Sequence, residues 1–528
     1  MPTGSYAINQ MLLPEAPKAA NKNQVLPLPS ARQWFIRNVF RWFDEFSPME
    51  SLCGHRRDLA GILRPSTVGA VQLILSAAAE AGESVQIQPI SCGHNWGFGS
   101  NLPNRDDVFL LDLSKLNRIR SSEIVGHSVE LEPGVTQGQL DDWLAIHNRT
   151  HYFNVTGAGT STSVIGNALE KGIGYSGSRH LDLLDLEVVL PGGQLVHTSK
   201  HASLQHFGFG SCLGPSVTQL FCQSNFGVIT AARIALFRRP QKMGAVICRV
   251  RNPAFFASLV SAISDLMAEG ACYGVPHIFN RERIIMSFAP LVDQEGLASL
   301  VDSTASWTAL LPIKGPCSVF NAAAEEVVAR LKSFGEVEIL SGEANSDGAK
   351  LNYLLQGRPS DFSLASVTYA AFAKPVEPKL PLERTGAGLI HVTPLVPLNG
   401  DTAQKAVELA VRSLRKSGYE KPQLSLNAIS SRVAALVIPI SFDRRSPVTT
   451  KRAKEAATAL ISDFANAGML PYRLGLDQAD SLPPMGDPWP ELLEAIQEVF
   501  DPTHCMSSSR YEPLWKTRNC PTKIGALL

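Results

Sequence analysis

The chain has 528 residues, 45% of them hydrophobic and 18% charged, so it can bury more than one core and is too long for one ordinary domain. Lysine plus arginine and aspartate plus glutamate balance at 48 each, which removes any overall electrostatic case for nucleic acid or an anionic membrane as partner. Nine scattered cysteines with no CxxC pair exclude a dense disulfide framework or a zinc module and point to reduced thiols, with no metal site expected.

Residues 1 to about 30 carry Pro14, Pro17, Pro27 and Pro29 among alanines, asparagines and lysines, a composition that reads as a loose arm and not a domain, with an oligomer contact as its expected role. They lack a basic segment followed by an apolar core, and no apolar run in the chain is long enough to span a bilayer; a soluble cytoplasmic protein is expected. Trp34, Phe40, Trp42 and Phe43 suggest an amphipathic helix. Ile62 to Gly82 combines a strand, a Pro-Ser-Thr start signal and a helix with Val68, Val71, Leu75 and Ala78 at helical spacing. Val85, Ile87 and Ile90 then lead into Pro89 to Ser100, PISCGHNWGFGS. A strand that opens into Gly93, His94, Asn95, Gly97 and Gly99 exposes backbone amides in a tight loop, a cradle for an anion that needs no lysine. By itself such a loop also reads as an ordinary turn.

The order of the following pieces sharpens it. Val108 to Leu113 reads as a strand, Ser128 to Gly134 as another, a helix starts near Thr136, and a second Gly-rich run extends from Gly157 to Gly177. Alternation of strands and helices continues through Phe237, interrupted by a polar insertion from Lys200 to Ser216. Near Pro240 the texture changes. Strand Ala245 to Arg251, helix Ala254 to Glu269, strands within Pro276 to Phe288, helix Ala322 to Ser333, extended Gly388 to Leu398, helix Thr402 to Ser417, strands Gln423 to Ser430 and Ala434 to Ser441, and helix Thr449 to Ala467 predict an antiparallel sheet covered by helices. Pro375 to Arg384 is a proline-rich loop inside it. MLPYRLGLD, a helix Trp489 to Phe500 and DPTHCMSSSRYEPLW close the chain.

In this order, PISCGHNWGFGS, the run Gly157 to Tyr175, LEVVLPGGQLVHTS, LFCQSNFGVITAARIALF and the closing segment resemble the vanillyl-alcohol oxidase / p-cresol methylhydroxylase flavoprotein family over most of the chain. The resemblance implies an α+β fold with a discontinuous PCMH-type FAD-binding domain, residues 1–241 and 470–528, and an α+β cap, residues 242–469, with the substrate between them. FAD would meet Cys92, Gly93, His94, Asn95, Trp96 and Gly97 of the first loop; Gly159, Thr160, Ser163, Gly166, Asn167, Gly172, Gly174 and Tyr175 of the second run; and Asn225, Gly227, Val228 and Ile229 of the turn in QSNFGVIT. His94 stands where some relatives bond a histidine covalently to the flavin. Others draw that link from a later cap-strand histidine, and the strand matched to it here, SRVAALVIPI, has none; Ser161 replaces the cysteine of doubly linked relatives. Arg510 matches a cation near flavin N1, or is a solvated tail residue. His180 reads as a surface histidine.

Tyr472-Arg473 resembles the pair that holds a phenolate in phenol-oxidising members, where a hydroxyl and a guanidinium on one oxygen favour the anion that expels a benzylic hydride; the bland alternative pairs Arg473 with a carboxylate such as Asp477. Two departures stand out. Phe98 replaces a phenolate-binding tyrosine, and Ala158 an aspartate base, with no carboxylate between Thr156 and Leu169. The expected function is an FAD-dependent oxidase of a small phenolic substrate acting through a quinone methide, with oxidative decarboxylation open, O2 as acceptor and a homodimer or higher oligomer as assembly. An oxidase of a sugar or hydroxy-acid alcohol, and a flavin-binding protein without turnover, remain as alternatives.

Overall fold

A computed structural model of the chain describes residues 28–44, 49–94, 96–199, 214–341, 354–373, 382–483, 486 and 488–512. Asn95, the arm up to residue 27, most of the 200–216 insertion, most of the proline-rich loop and the chain beyond residue 512 lie outside that set.

The chain up to Ala235 builds two small sheets. In the first, Gly61–Leu63 and Ile87–Ile90 flank Phe109–Asp112, both parallel to it. The crossover between the flanking strands is the helix Val68–Ala81, started by Thr67, whose hydroxyl accepts from the Ala70 amide. Its spacing turns Val71, Ile74, Leu75 and Ala78 onto the sheet, all fully buried. The aromatic stretch before it divides: Leu28–Val39 is helix, Phe40–Trp42 a 3₁₀ turn, and Phe43 begins an edge strand. The second sheet, ordered Leu195–His197, Leu183–Val189, Val228–Ala235, Ser128–Leu131, is antiparallel throughout. Late residues return to the first sheet: the Ile87 amide donates to the Cys505 carbonyl and its carbonyl accepts from the Ser507 amide, both at 2.9 Å.

Residues 242–443 supply an eight-stranded antiparallel sheet in the order Glu336–Ser341, Lys242–Val250, Trp307–Gly315, His277–Asn280, Ser425–Ala428, Val433–Asp443, Ala387–Val392, with Leu395–Pro397 also paired to Val433–Asp443. Helices Phe256–Ala268, Cys317–Leu331, Gly400–Lys416 and Pro447–Asn466 bury their apolar stripes in one core with it. Side chains alternate across a strand. Ala434, Leu436, Ile438, Ile440 and Phe442 face that core, while Val437, Pro439 and Ser441 face a cavity on the other side. The Pro276 to Phe288 stretch is only partly strand. His277–Asn280 is extended, then Asn280 caps a helix, Arg281–Phe288, its side chain accepting from the Arg283 amide at 3.0 Å. An Asx cap just ahead of a charged first turn is the signal that separates the two halves.

Candidate active site

Two adjoining spaces hold most of the expected residues. The first is a groove floored by Gln88 to Ser91, Gly93 and His94, walled by the short helix Val164–Leu169 and by Asn225, Gly227 and Ile229, and closed by Arg510. Gly93 turns at φ +70°, a conformation that costs other residues strain. A side chain at Gly166 would collide with Ser91, so the two runs approach as closely as backbone allows. Ser163 caps the short helix, accepting from the Gly166 amide at 2.9 Å and donating to the Pro133 carbonyl at 2.6 Å. His94 stacks on Trp96 with centroids 5.4 Å apart; its Nδ1 faces the Ser161 carbonyl at 3.2 Å and its Nε2 lies 3.6 Å from Glu383. Trp96 Nε1 donates to the Ala158 carbonyl and fastens the first loop to the second.

Several expected contacts sit behind these walls instead of on them. The Cys92 thiol points at the Gly134 carbonyl, and burial pushes its pKa up to about 11. Gly97 backs onto His391, Gly159 and Thr160 onto Asp361, and Val228 belongs to the core beneath. Asn225 lines the groove, but its amide is committed to Gln88 and Ser507.

The second space, a cavity of about 210 Å³, meets the first at Asn167, which lines both. Trp96, Phe98, Ala158, Gly172, Gly174 and Tyr175 form one side, and the cavity faces of the large sheet, with His277, Ser425, Asn427, His391 and Ser441, form the other. Tyr472 and Arg473 stand at its edge within hydrogen-bonding reach of each other. Burial raises the Tyr472 pKa against the opposing pull of Arg473. The Arg473 guanidinium lies 4.7 Å over the Phe98 ring. Its partner is Glu170, 3.4 Å away, and not Asp477, which pairs with Arg57 at 2.9 Å and His55 at 3.3 Å. Glu170 also accepts from the Tyr511 hydroxyl at 2.9 Å and faces Arg510 at 3.7 Å. Burial pushes its carboxyl up, but Arg510 and Arg473 outweigh burial and hold it below the usual carboxylate range. Arg510 donates further to the Phe98 and Leu474 carbonyls, so it is a built part of the wall and not a solvated tail residue.

Three buried polar atoms on this cavity have no hydrogen-bond partner among the described residues: Arg473 Nη2, Thr393 Oγ1 and Asn427 Oδ1. Orphaned polar atoms at one cavity mark where a ligand completes the bonding.

Residue reading missed Glu170, His277, His391 and Arg283. His391 alters an earlier inference: SRVAALVIPI has no histidine, but the adjacent strand Ala387–Val392 places His391 opposite Pro439 and into the cavity. His277 Nδ1 meets the Val275 carbonyl at 2.7 Å and His391 Nδ1 the Trp96 carbonyl at 3.2 Å. A carbonyl can only accept, so each Nδ1 donates and each Nε2 is left bare. Burial keeps both rings neutral, at about 4 for His277 and, with Arg283 adding, about 3 for His391. His180 bonds Ser178 at 2.8 Å and lines neither space.

Comparison with known proteins bears on the groove and on the fold. An FAD binding domain family matches residues 59–199. The 1'-carboxy-chondrochloren decarboxylase of Chondromyces crocatus is 26% identical over 498 residues, 86% of this chain and 90% of that protein. The 4-cresol dehydrogenase [hydroxylating] flavoprotein subunit of Pseudomonas putida is 23% identical over 84% of this chain and 86% of its own length. Among solved structures, 4-ethylphenol oxidase from Gulosibacter chungangensis, in its isoeugenol complex, superposes with a TM-score of 0.78 at 19% identity over 93% of this chain and 98% of that one. Substrate-bound p-cresol methylhydroxylase gives 0.77 at 22% identity, over 92% and 96%. The groove fits FAD: positive-φ glycine, close-packed loops and a cation at the closed end are what a dinucleotide requires.

Proposed function

We infer the reaction from one premise: the chain belongs to the p-cresol methylhydroxylase / vanillyl-alcohol oxidase family and is an FAD-dependent oxidoreductase. We propose that it oxidises a phenolic substrate at the benzylic carbon para to the hydroxyl. The observation that carries this is the Tyr472 and Arg473 pair on the cavity, where the buried Arg473 Nη2 has no hydrogen-bond partner among the described residues. A phenolate oxygen there receives a hydroxyl and a charge-assisted N–H. Its electron density, passed through the ring, expels hydride from the benzylic carbon and leaves a neutral quinone methide. FAD, when bound in the groove, supplies the two-electron acceptor for that hydride.

Gly93 and Gly166 let the two loops close on the cofactor, and Arg510 serves its electron-rich end. His94 links it covalently; His391 is the second candidate, because it stands in the cavity wall beside Trp96. Residues 1–241 with 470–528 form the flavin-binding part and 242–469 the cap, a division supported by the pairing of Cys505 to Ser507 with Ile87. O2 takes the electrons, and the protein works as a cytoplasmic homo-oligomer. Among the described residues no helix is long and apolar enough to cross a membrane, and their seven cysteines are free.

No carboxylate lines the cavity among the described residues, so water attack on the quinone methide lacks a carboxylate base. A substrate with a carboxylate on the carbon next to the benzylic one needs none. The electron pair of its C–CO2 bond forms the alkene and restores the phenolate, and CO2 departs without proton transfer. Hydration assisted by the bare Nε2 of His277 or His391 is the second reading. The two separate on 3-(4-hydroxyphenyl)propanoate: one CO2 and one 4-vinylphenol per turnover support decarboxylation, whereas hydroxylated or carbonyl product with the carboxylate retained supports the histidines. No oxidation of this acid or of a 4-alkylphenol would remove the phenol reading.

A further inference from the structure

Arg283 is the cavity cation that nothing above uses. It lies in the first turn of Arg281–Phe288, and its backbone is fixed by Asn280, whose Oδ1 also accepts from the Leu424 amide at 3.0 Å and whose Nδ2 donates to the Pro422 carbonyl at 2.8 Å. It lines the cavity, and among the described residues its guanidinium donates only to the neutral Gln423 side chain, at 3.4 Å. No described carboxylate forms an ion pair with it. Burial depresses its pKa, opposed only by the Tyr175 hydroxyl. An enclosed cation without a counter-ion is costly, and an arriving anion removes that cost. Glu170 already balances Arg473 from behind, so a phenolate at Arg473 leaves Arg283 uncompensated.

We propose that Arg283 binds a carboxylate of the substrate, so that the cavity takes a molecule with two anionic groups, a phenolate at Tyr472 and Arg473 and a carboxylate at Arg283. Only the first of these rests on the phenol reading above. Arg283 acts in binding and not in bond breaking, because any ion pair it makes with the carboxylate is lost as CO2 leaves.

Three probes on the FAD-loaded protein separate the two groups: 3-(4-hydroxyphenyl)propanoate and 4-propylphenol, with Kd read from the concentration dependence of anaerobic flavin bleaching or, where no bleaching occurs, from perturbation of the flavin spectrum, and 3-phenylpropanoate, with Kd read from that perturbation. The parent should prefer the hydroxy acid to 4-propylphenol. Arg283→Gln should weaken the hydroxy acid on the order of 10- to 100-fold, leave 4-propylphenol within about twofold, and keep flavin loading; Arg283→Lys should restore part of the preference. Arg283-dependent binding of 3-phenylpropanoate without any gain from the hydroxyl would sustain the carboxylate site while the phenol reading falls. A parent with no preference for the acid, a preference that survives in Arg283→Gln, equal weakening of both phenols, or loss of flavin from the variant would each overturn the proposal.

Discussion

Glu170 shows how one side chain can set two cations. It bridges Arg473 at 3.4 Å and Arg510 at 3.7 Å and accepts from Tyr511, so the groove and the cavity share a single negative charge. Removing it leaves two buried guanidiniums uncompensated, which is more damaging than deleting a surface pair. Glu170→Gln should lower stability at pH 7 by about 3 kcal/mol, the scale for breaking a buried pair, seen as a lower thermal midpoint. The carboxyl is held below its unfolded value, so its contribution is complete above the ordinary glutamate range and is lost as pH falls through the folded pKa. The gap between variant and parent should therefore narrow below about pH 4. Equal midpoints at pH 7, or a gap indifferent to pH, would show that the network is not coupled in this way.

Two elements compete for the proposed flavin link: the Gly-rich loop offers His94, and strand Ala387–Val392 offers His391. Acid precipitation of the FAD-loaded protein should leave the flavin on the polypeptide, and digestion should give a flavin-bearing peptide containing His94, absent from His94→Ala. A flavin peptide containing His391 would move the link to the strand, and free flavin in the supernatant would abolish it. The same pair of elements shows what the sequence made legible. The loop was readable because strand, glycines and second run are contiguous and ordered. His391 was not, because its neighbour in the sheet is Pro439, and register between positions so far apart in the chain is set by packing, not by local pattern. The apolar spacing locates the helices of the large sheet to within a few residues, as Gly400–Lys416, expected over Thr402 to Ser417, illustrates. Pro276 to Phe288 misled because Ile and Phe occur both in helix Arg281–Phe288 and in strand His277–Asn280.

At the scale of the whole molecule, alternation in the large sheet does two jobs. One face supplies an apolar core with four helices, and the other presents His277, Ser425, Asn427, His391 and Ser441 to the cavity opposite the glycine-rich runs. Electrostatics then sorts the site: the cavity is lined by cations and neutral polar groups without a described carboxylate, so it selects anions. This arrangement places Arg283 and Arg473 on one cavity and sets the groove beside it, with Asn167 lining both. On the proposed function, a phenol held as its anion by Arg473 is oxidised in the cavity. Anaerobic mixing of the FAD-loaded protein with 4-ethylphenol tests it most directly, with bleaching of the flavin absorbance followed in the parent and in Arg473→Ala. The account expects full bleaching in the parent and a rate on the order of 10- to 100-fold lower in the variant, from loss of one charge-assisted bond, with flavin content unchanged; equal rates in the two, or no bleaching of the parent, would contradict it.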